Sequence, residues 1–176
     1  MDQGGTKWSE IQQIWPSEWN IRKGLGEGFT LLRGNHPASV DEKGRLKIPT
    51  SFLQLIETNY GSEVFVTSLR GDNVRIYPME VWTEFERKLA SIPDFHPTKQ
   101  KLLKRVHFFG QANTLDKQGR LLIPGQLRES AQMKGSVDVL GMQDRLDVWN
   151  HNVLKEQLDE QPFGEDDERA MAEFDI

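Results

Sequence analysis

One phrase, stated twice, constrains what this chain can fold into. Residues 41–49 read Asp-Glu-Lys-Gly-Arg-Leu-Lys-Ile-Pro, and 75 residues later, at 116–124, the chain reads Asp-Lys-Gln-Gly-Arg-Leu-Leu-Ile-Pro. Asp, Gly, Arg, Leu, Ile and Pro return in place. Asp at the first and Gly at the fourth position of a four-residue turn is a type I preference. The short Asp side chain accepts hydrogen bonds from turn amides, and Gly tolerates the exit conformation. Side chains of the strand that follows alternate between faces. Leu46 and Ile48 then share an apolar face with Arg45 and Lys47 opposite, and Leu121 and Ile123 oppose Arg120.

The surroundings repeat too. Amphipathic stretches follow at Ser51–Asn59 and Gln126–Met133, ended by Gly61 and Gly135. Phe52, Leu55 and Ile56 fall at helical spacing, and Thr50 or Ser51 is the expected cap. Strand-like runs come next, Val64–Ser68 with Val74–Tyr77 and Val137–Gly141 with Leu146–Trp149. Helical patterns close the halves at Met79–Ala90 and His151–Leu158, and the Trp82, Phe85, Leu89 stripe reads as core. Each half therefore spells ββαββα, an α+β class that is mainly β. Each unit of about fifty residues is marginal alone, so the two are expected to pack as one body and to gain from an oligomer.

The chain has no cysteine, which excludes disulfides and thiolate metal sites. No apolar run approaches the roughly 20 residues of a membrane span. The N-terminus lacks the pattern of a signal peptide. A cytoplasmic protein with no membrane partner and no cofactor is expected. The net charge of −5 is uneven, because residues 155–176 hold nine acids against Lys155 and Arg169. The acidic balance therefore belongs to the tail, and the remainder is slightly basic.

The expected organisation is a leader at 1–30, a first repeat at 31–97 (core 35–82), a basic connecting helix at 98–110, a second repeat at 111–158 (core 111–154) and an acidic tail at 159–176. The leader holds Trp8, Trp15 and Trp19 without periodic spacing. Lys99–Phe109 is amphipathic, with Leu102, Leu103, Val106 and Phe109 apolar. Its Lys99, Lys101, Lys104 and Arg105 read either as a solvated face or as a phosphate contact. Gln161–Phe174 reads as mobile or partly helical.

Little supports catalysis. His36, His96, His107 and His151 are scattered without metal-ligand spacing, and no phosphate loop or nucleophile elbow appears. Asp41 and Asp116 are explained by turn capping, each beside an Arg that keeps it ionised. Binding has more support. Arg33, Lys43, Arg45 and Lys47 are expected to cluster around the first turn, and a two-stranded ribbon fits the DNA major groove, where Arg reads guanine. Arg45 and Arg120 alternatively close ion pairs with Asp41 and Asp116. For Arg45, DNA contact with Asp41 orienting the guanidinium is the favoured reading. Arg120 is divided between DNA contact and structure, because Leu122 stands where the first copy has Lys47.

Several runs carry a resemblance. Arg-Gly-Asn-His at 33–36, the two repeated phrases, Tyr-Pro-x-x-x-Trp at 77–82, Leu-Arg at 127–128 and Gly-x-x-Asp-Arg-Leu-Asp-Val-Trp at 141–149 resemble the MraZ family over about Leu31 to Leu158. The resemblance implies two tandem swapped-hairpin, AbrB-like repeats forming one pseudo-symmetric double-psi-like barrel. It implies a bacterial transcription factor acting on the promoter of its own division and cell-wall gene cluster, associated with the nucleoid. It further implies homo-oligomeric rings on short, G-rich direct repeats, with avidity supplying affinity. The family's Asp-x-x-x-Arg motif falls on Asp41 and Arg45, and again on Asp116 and Arg120; Arg33 matches an N-terminal Arg. Lys43, Lys47 and Lys117 complete the candidate DNA contacts. The rival readings are a protein-interaction ring serving an enzyme and an AbrB-type antitoxin. The family starts Met-Phe-Arg-Gly where this chain reads Leu31-Leu32-Arg33-Gly34. Residues 1–30 are therefore expected to be translated upstream sequence outside the cellular protein, with a disordered extension as the alternative.

Overall fold

The structure, a computed structural model, describes residues 31–174, so the expectation for the leader lies outside the described residues. The first half runs β1 (Leu32–Val40), β2 (Arg45–Lys47), α1 (Thr50–Tyr60), β3 (Glu63–Thr67), β4 (Val74–Pro78) and α2 (Met79–Ala90). A connecting helix, α3 (Pro97–Phe108), leads into the second half. That half is β5 (Gln111–Thr114), β6 (Arg120–Leu122), α4 (Gly125–Ser130), β7 (Gly135–Gln143), β8 (Leu146–Asn150) and α5 (His151–Glu160), followed by α6 (Glu165–Ala172). The ββαββα order thus appears in both halves.

All eight strands form one antiparallel sheet in the order β5-β3-β4-β8-β7-β1-β2-β6. The pairings exchange partners between halves. β1 pairs with β7 as β5 pairs with β3, while β2 meets β6 and β4 meets β8. A pseudo-twofold passes through the last two pairs, at Leu46↔Leu121 and Arg75↔Asp147. The sheet nearly closes into a barrel, since Asn113 Nδ2 on one edge donates to the Leu122 carbonyl on the other, 2.9 Å away. The halves therefore share one sheet and one core. That sharing answers the size problem within a single chain.

Alternation explains the core. Val64, Val66, Val74 and Ile76 face the barrel interior together with Leu46, Ile48, Leu121, Ile123, Val139 and Val148. At alternate positions on the same strands, Phe65 and Tyr77 face outward, where α2 and α3 cover them with Trp82, Phe85, Leu89, Leu102 and Val106. Phe65 stacks on Trp82 with ring centroids 4.1 Å apart. Burial of each such large side chain stabilises by about 1.5–3 kcal/mol. Burial also lifts the Tyr77 hydroxyl to a pKa of about 12, so that ring stays neutral at any physiological pH. The corresponding outer face of the second half carries Asp138 and Asp147 beside the half-buried Leu140 and Trp149. Asp138 there accepts from Asn35 Nδ2 at 3.0 Å and meets His151 Nδ1 at 2.7 Å, which satisfies its buried carboxylate.

Two local expectations are corrected. α1 begins at Thr50 with Pro49 at the cap position and no side-chain cap, as Pro124 precedes α4. Pro49 has the fixed φ that leads into the helix but no side-chain acceptor, so α1 starts without the expected Thr50 or Ser51 cap. Lys99, expected on a solvated face, is buried, donating to Asp94 Oδ1 and the Ile92 carbonyl at 2.7 Å each. Its charge is used inside the chain, and it leaves the phosphate candidates.

Candidate nucleic-acid interface

Both repeated phrases fold into the same turn. Gly44 N donates to the Asp41 carbonyl at 2.9 Å and Asp41 N to the Arg45 carbonyl at 3.0 Å, and Gly119, Asp116 and Arg120 repeat both bonds at the same lengths. Gly44 and Gly119 hold φ of 79° and 70°, a region unfavourable for any residue with a Cβ. Asp41 Oδ1 accepts from the amides of Lys43 (3.0 Å) and Arg45 (2.9 Å), and Asp116 Oδ1 from those of Gln118 (2.8 Å) and Arg120 (2.9 Å). The other carboxylate oxygen of each Asp takes the Nε–H of the matching Arg at 2.8 Å. The Arg45 amide, then its guanidinium, holds the Asp41 carboxyl below the usual carboxylate range; Arg120 does the same to Asp116.

The ion pairs are real, but their stabilising value is small. Arg45 and Arg120 remain 36% and 32% exposed, and ion pairs in such settings contribute about 0–1 kcal/mol. Their effect is on direction. With Nε held by Asp, the two Nη groups of each Arg make no hydrogen bond within the chain among the described residues. The geometry is the same at both turns, so the expected distinction between Arg45 and Arg120 does not arise from the ion pair.

The short strands after the turns pair with each other, placing Arg45 opposite Leu122 and Lys47 opposite Arg120. Leu46 and Leu121 between them are buried, so these four side chains share the outer face of the ribbon. Lys47 therefore stands beside the second turn rather than the first. Like charges directly opposite one another destabilise a strand pair.

Each turn also leans on the opposite half. Ile123 N donates to the Gly44 carbonyl at 3.0 Å and Ile48 N to the Gly119 carbonyl at 2.9 Å. A Cβ on Gly44 would overlap the Arg128 guanidinium, and one on Gly119 would overlap Leu53. Neither Leu53 nor Arg128 is among the DNA-contact candidates read from sequence, although Arg128 belongs to the Leu-Arg run that carries the resemblance. Their signal was the repeat itself, since each is the fourth residue after Pro49 or Pro124, yet which turn each covers requires the crossed topology.

Comparison with known proteins agrees with both copies. The family model described as "MraZ protein, putative antitoxin-like" matches residues 31–105 and 108–174. A protein named "Transcriptional regulator MraZ" from Acidobacterium capsulatum is 49% identical over 146 residues, covering 83% of this chain and 100% of the relative. Relatives of the same name from Koribacter versatilis and Moorella thermoacetica are 45% and 34% identical over 147 and 151 residues, each covering 83% of this chain and 100% of the relative. The chain belongs to the MraZ family. Each matched MraZ region contains one Asp-turn-Arg unit, at 41–45 and at 116–120.

The remaining candidates of this MraZ chain are distributed as follows. Lys43 and Lys117 are exposed in the two turns. Arg33 is exposed but lies at the opposite end of β1 from the first turn, separated by on the order of 25 Å of extended strand. The expected cluster of Arg33 with Lys43, Arg45 and Lys47 does not form, because β1 is committed to β7 along its whole length. Lys101, Lys104 and Arg105 are exposed on α3, on the outside of the sheet. Among the described residues no helix is long and apolar enough to cross a membrane, and no group of His, Cys, Asp and Glu could hold a metal.

Proposed function

We propose that this MraZ-family chain is a sequence-specific DNA-binding transcriptional regulator whose β2–β6 ribbon and two flanking turns enter the DNA groove. The observation that carries this reading is the pair of Arg residues held through Nε by Asp41 and Asp116 on the outer face of the ribbon, a face that Lys47 shares. A guanidinium fixed through Nε presents its Nη edge to the two acceptors of guanine, whereas lysines beside it meet phosphate. The relatives' name, transcriptional regulator, supports a regulatory role without catalysis. On this reading its target is the promoter of a division and cell-wall gene cluster, including the chain's own, and its location is cytoplasmic and nucleoid-associated, as the family resemblance implies.

Two turns per chain give few contacts, so affinity is expected from assembly. Several copies in a ring would raise the effective concentration at each next direct repeat. Exposed Phe95, Phe108, Leu158 and Phe163 supply apolar surface for contacts between copies. Arg33, remote from the turns, lies outside the interface proposed for one protomer. A mobility-shift titration on the duplex immediately upstream of the reading frame tests the reading. Arg45→Ala or Arg120→Ala should weaken specific binding by about tenfold to a hundredfold, the range for losing a bidentate base contact. Wild-type affinity in both variants, with binding intact, would remove the ribbon from the interface.

A further inference from the structure

The two halves differ at four places in and around each turn. Lys117 takes the place of Glu42, Gln118 that of Lys43, Leu122 that of Lys47, and Arg128 that of Leu53. The crossed topology redistributes these differences. The first turn has neutral Leu122 across the strand from Arg45, but Arg128 of the other half lies over its Gly44. The second turn has neutral Leu53 over its Gly119, but Lys47 of the other half stands across from Arg120. Each turn thus receives one cation from the opposite half, by strand in one case and by helix in the other. From this geometry we propose that Arg128 is a phosphate-contacting residue of the first turn, which is a composite of both halves. The proposal rests on the DNA-binding reading above.

The backbone supports an equivalent aim for the two helix residues. Leu53 N donates to the Pro49 carbonyl at 2.9 Å and Arg128 N to the Pro124 carbonyl at 2.8 Å, so both leave the first turn of their helices in the same direction. Leu53 shows that packing over a turn glycine needs only an apolar side chain. Arg128 covers Gly44 with its stem and guanidinium, and is only partly exposed. Its guanidinium makes no hydrogen bond or ion pair within the chain among the described residues, and the Asp41 carboxylate of the same turn is already occupied by two amides and Arg45 Nε. A guanidinium with no internal acceptor, packed on the turn that carries Arg45, suits a phosphate oxygen.

The test uses the full chain and two duplexes, the upstream sequence and a scrambled one of equal length. Arg128→Leu installs the residue that already serves at the other turn, so folding is preserved; melting temperature and oligomer size check that it is. Loss of one phosphate contact lowers the slope of log affinity against log salt by about one and weakens binding about fivefold at 0.15 M salt, equally on both duplexes. Arg128→Lys should restore most of the slope, and Leu53→Arg should raise it by about one through the second turn. Arg45→Ala, run alongside, should instead remove the preference for the upstream duplex. If Arg128→Leu leaves affinity and slope unchanged while Arg45→Ala loses that preference, Arg128 is packing only and the proposal is overturned with the DNA reading intact. If neither variant changes binding, or the wild type binds neither duplex, the DNA reading fails and takes the proposal with it.

Discussion

Asp41 and Asp116 each spend one carboxylate oxygen on the turn and the other on an arginine, which couples backbone geometry to the aim of a charged side chain. Asp41→Asn should keep the turn's amide bonds but weaken the hold on Arg45 Nε, lowering specific DNA affinity with little change in melting temperature. Both carboxyls titrate below their ordinary value in the folded chain. Such groups contribute stability above their unfolded pKa and lose it as pH falls through the lowered, folded one. Melting temperature should therefore hold from neutral pH to about pH 5 and drop in more acidic buffer, with a shallower drop in the Asp41→Asn, Asp116→Asn double variant. An unchanged acid limb in that variant would assign the acid sensitivity to other carboxylates.

The ribbon of β2 and β6 is only three residues long on each side, yet it lies on the pseudo-twofold, with Leu46 and Leu121 at its centre and 0% and 1% exposed. Leu46→Ala should cost about 2–5 kcal/mol by urea unfolding, the range for a large-to-small change in a packed core. The loss would reach both turns, because each is bonded to the strand of the other half. Much of this level was legible beforehand. The repeated phrase located the turns and the two-residue period located Leu46, Ile48, Leu121 and Ile123. What the repeat could not show was which half each element joins. Periodicity reports a residue's face and not its strand's partner, so the crossing of Lys47 to Arg120 and of Arg128 to Gly44 stayed hidden. The misplaced Arg33 cluster has the same origin, since nearness in sequence was read as nearness in space across nine residues of strand. Lys99 was lost to a different cause, a loop acid folding back on the helix at Asp94.

Across the whole molecule the two faces differ in kind. α2 and α3 cover one side with an aromatic layer, while the ribbon and turns present cations on another surface. The acidic helix α6 has no buried residue, so removing residues 161–176 should leave unfolding free energy within about 0.5 kcal/mol, as for other exposed segments. DNA affinity should rise slightly at low salt as repelling charge is lost, and the gain should vanish above roughly 0.3 M salt, where screening is short-ranged. The central claim, that the ribbon and its turns are the DNA-binding surface, is tested most directly by hydrogen exchange followed by mass spectrometry, with and without the upstream duplex. Peptides covering 41–47 and 116–122 should exchange more slowly in the complex, while those covering α2 and α6 keep their free rates. Protection on α2 and α3 with the two turns unchanged would contradict the account.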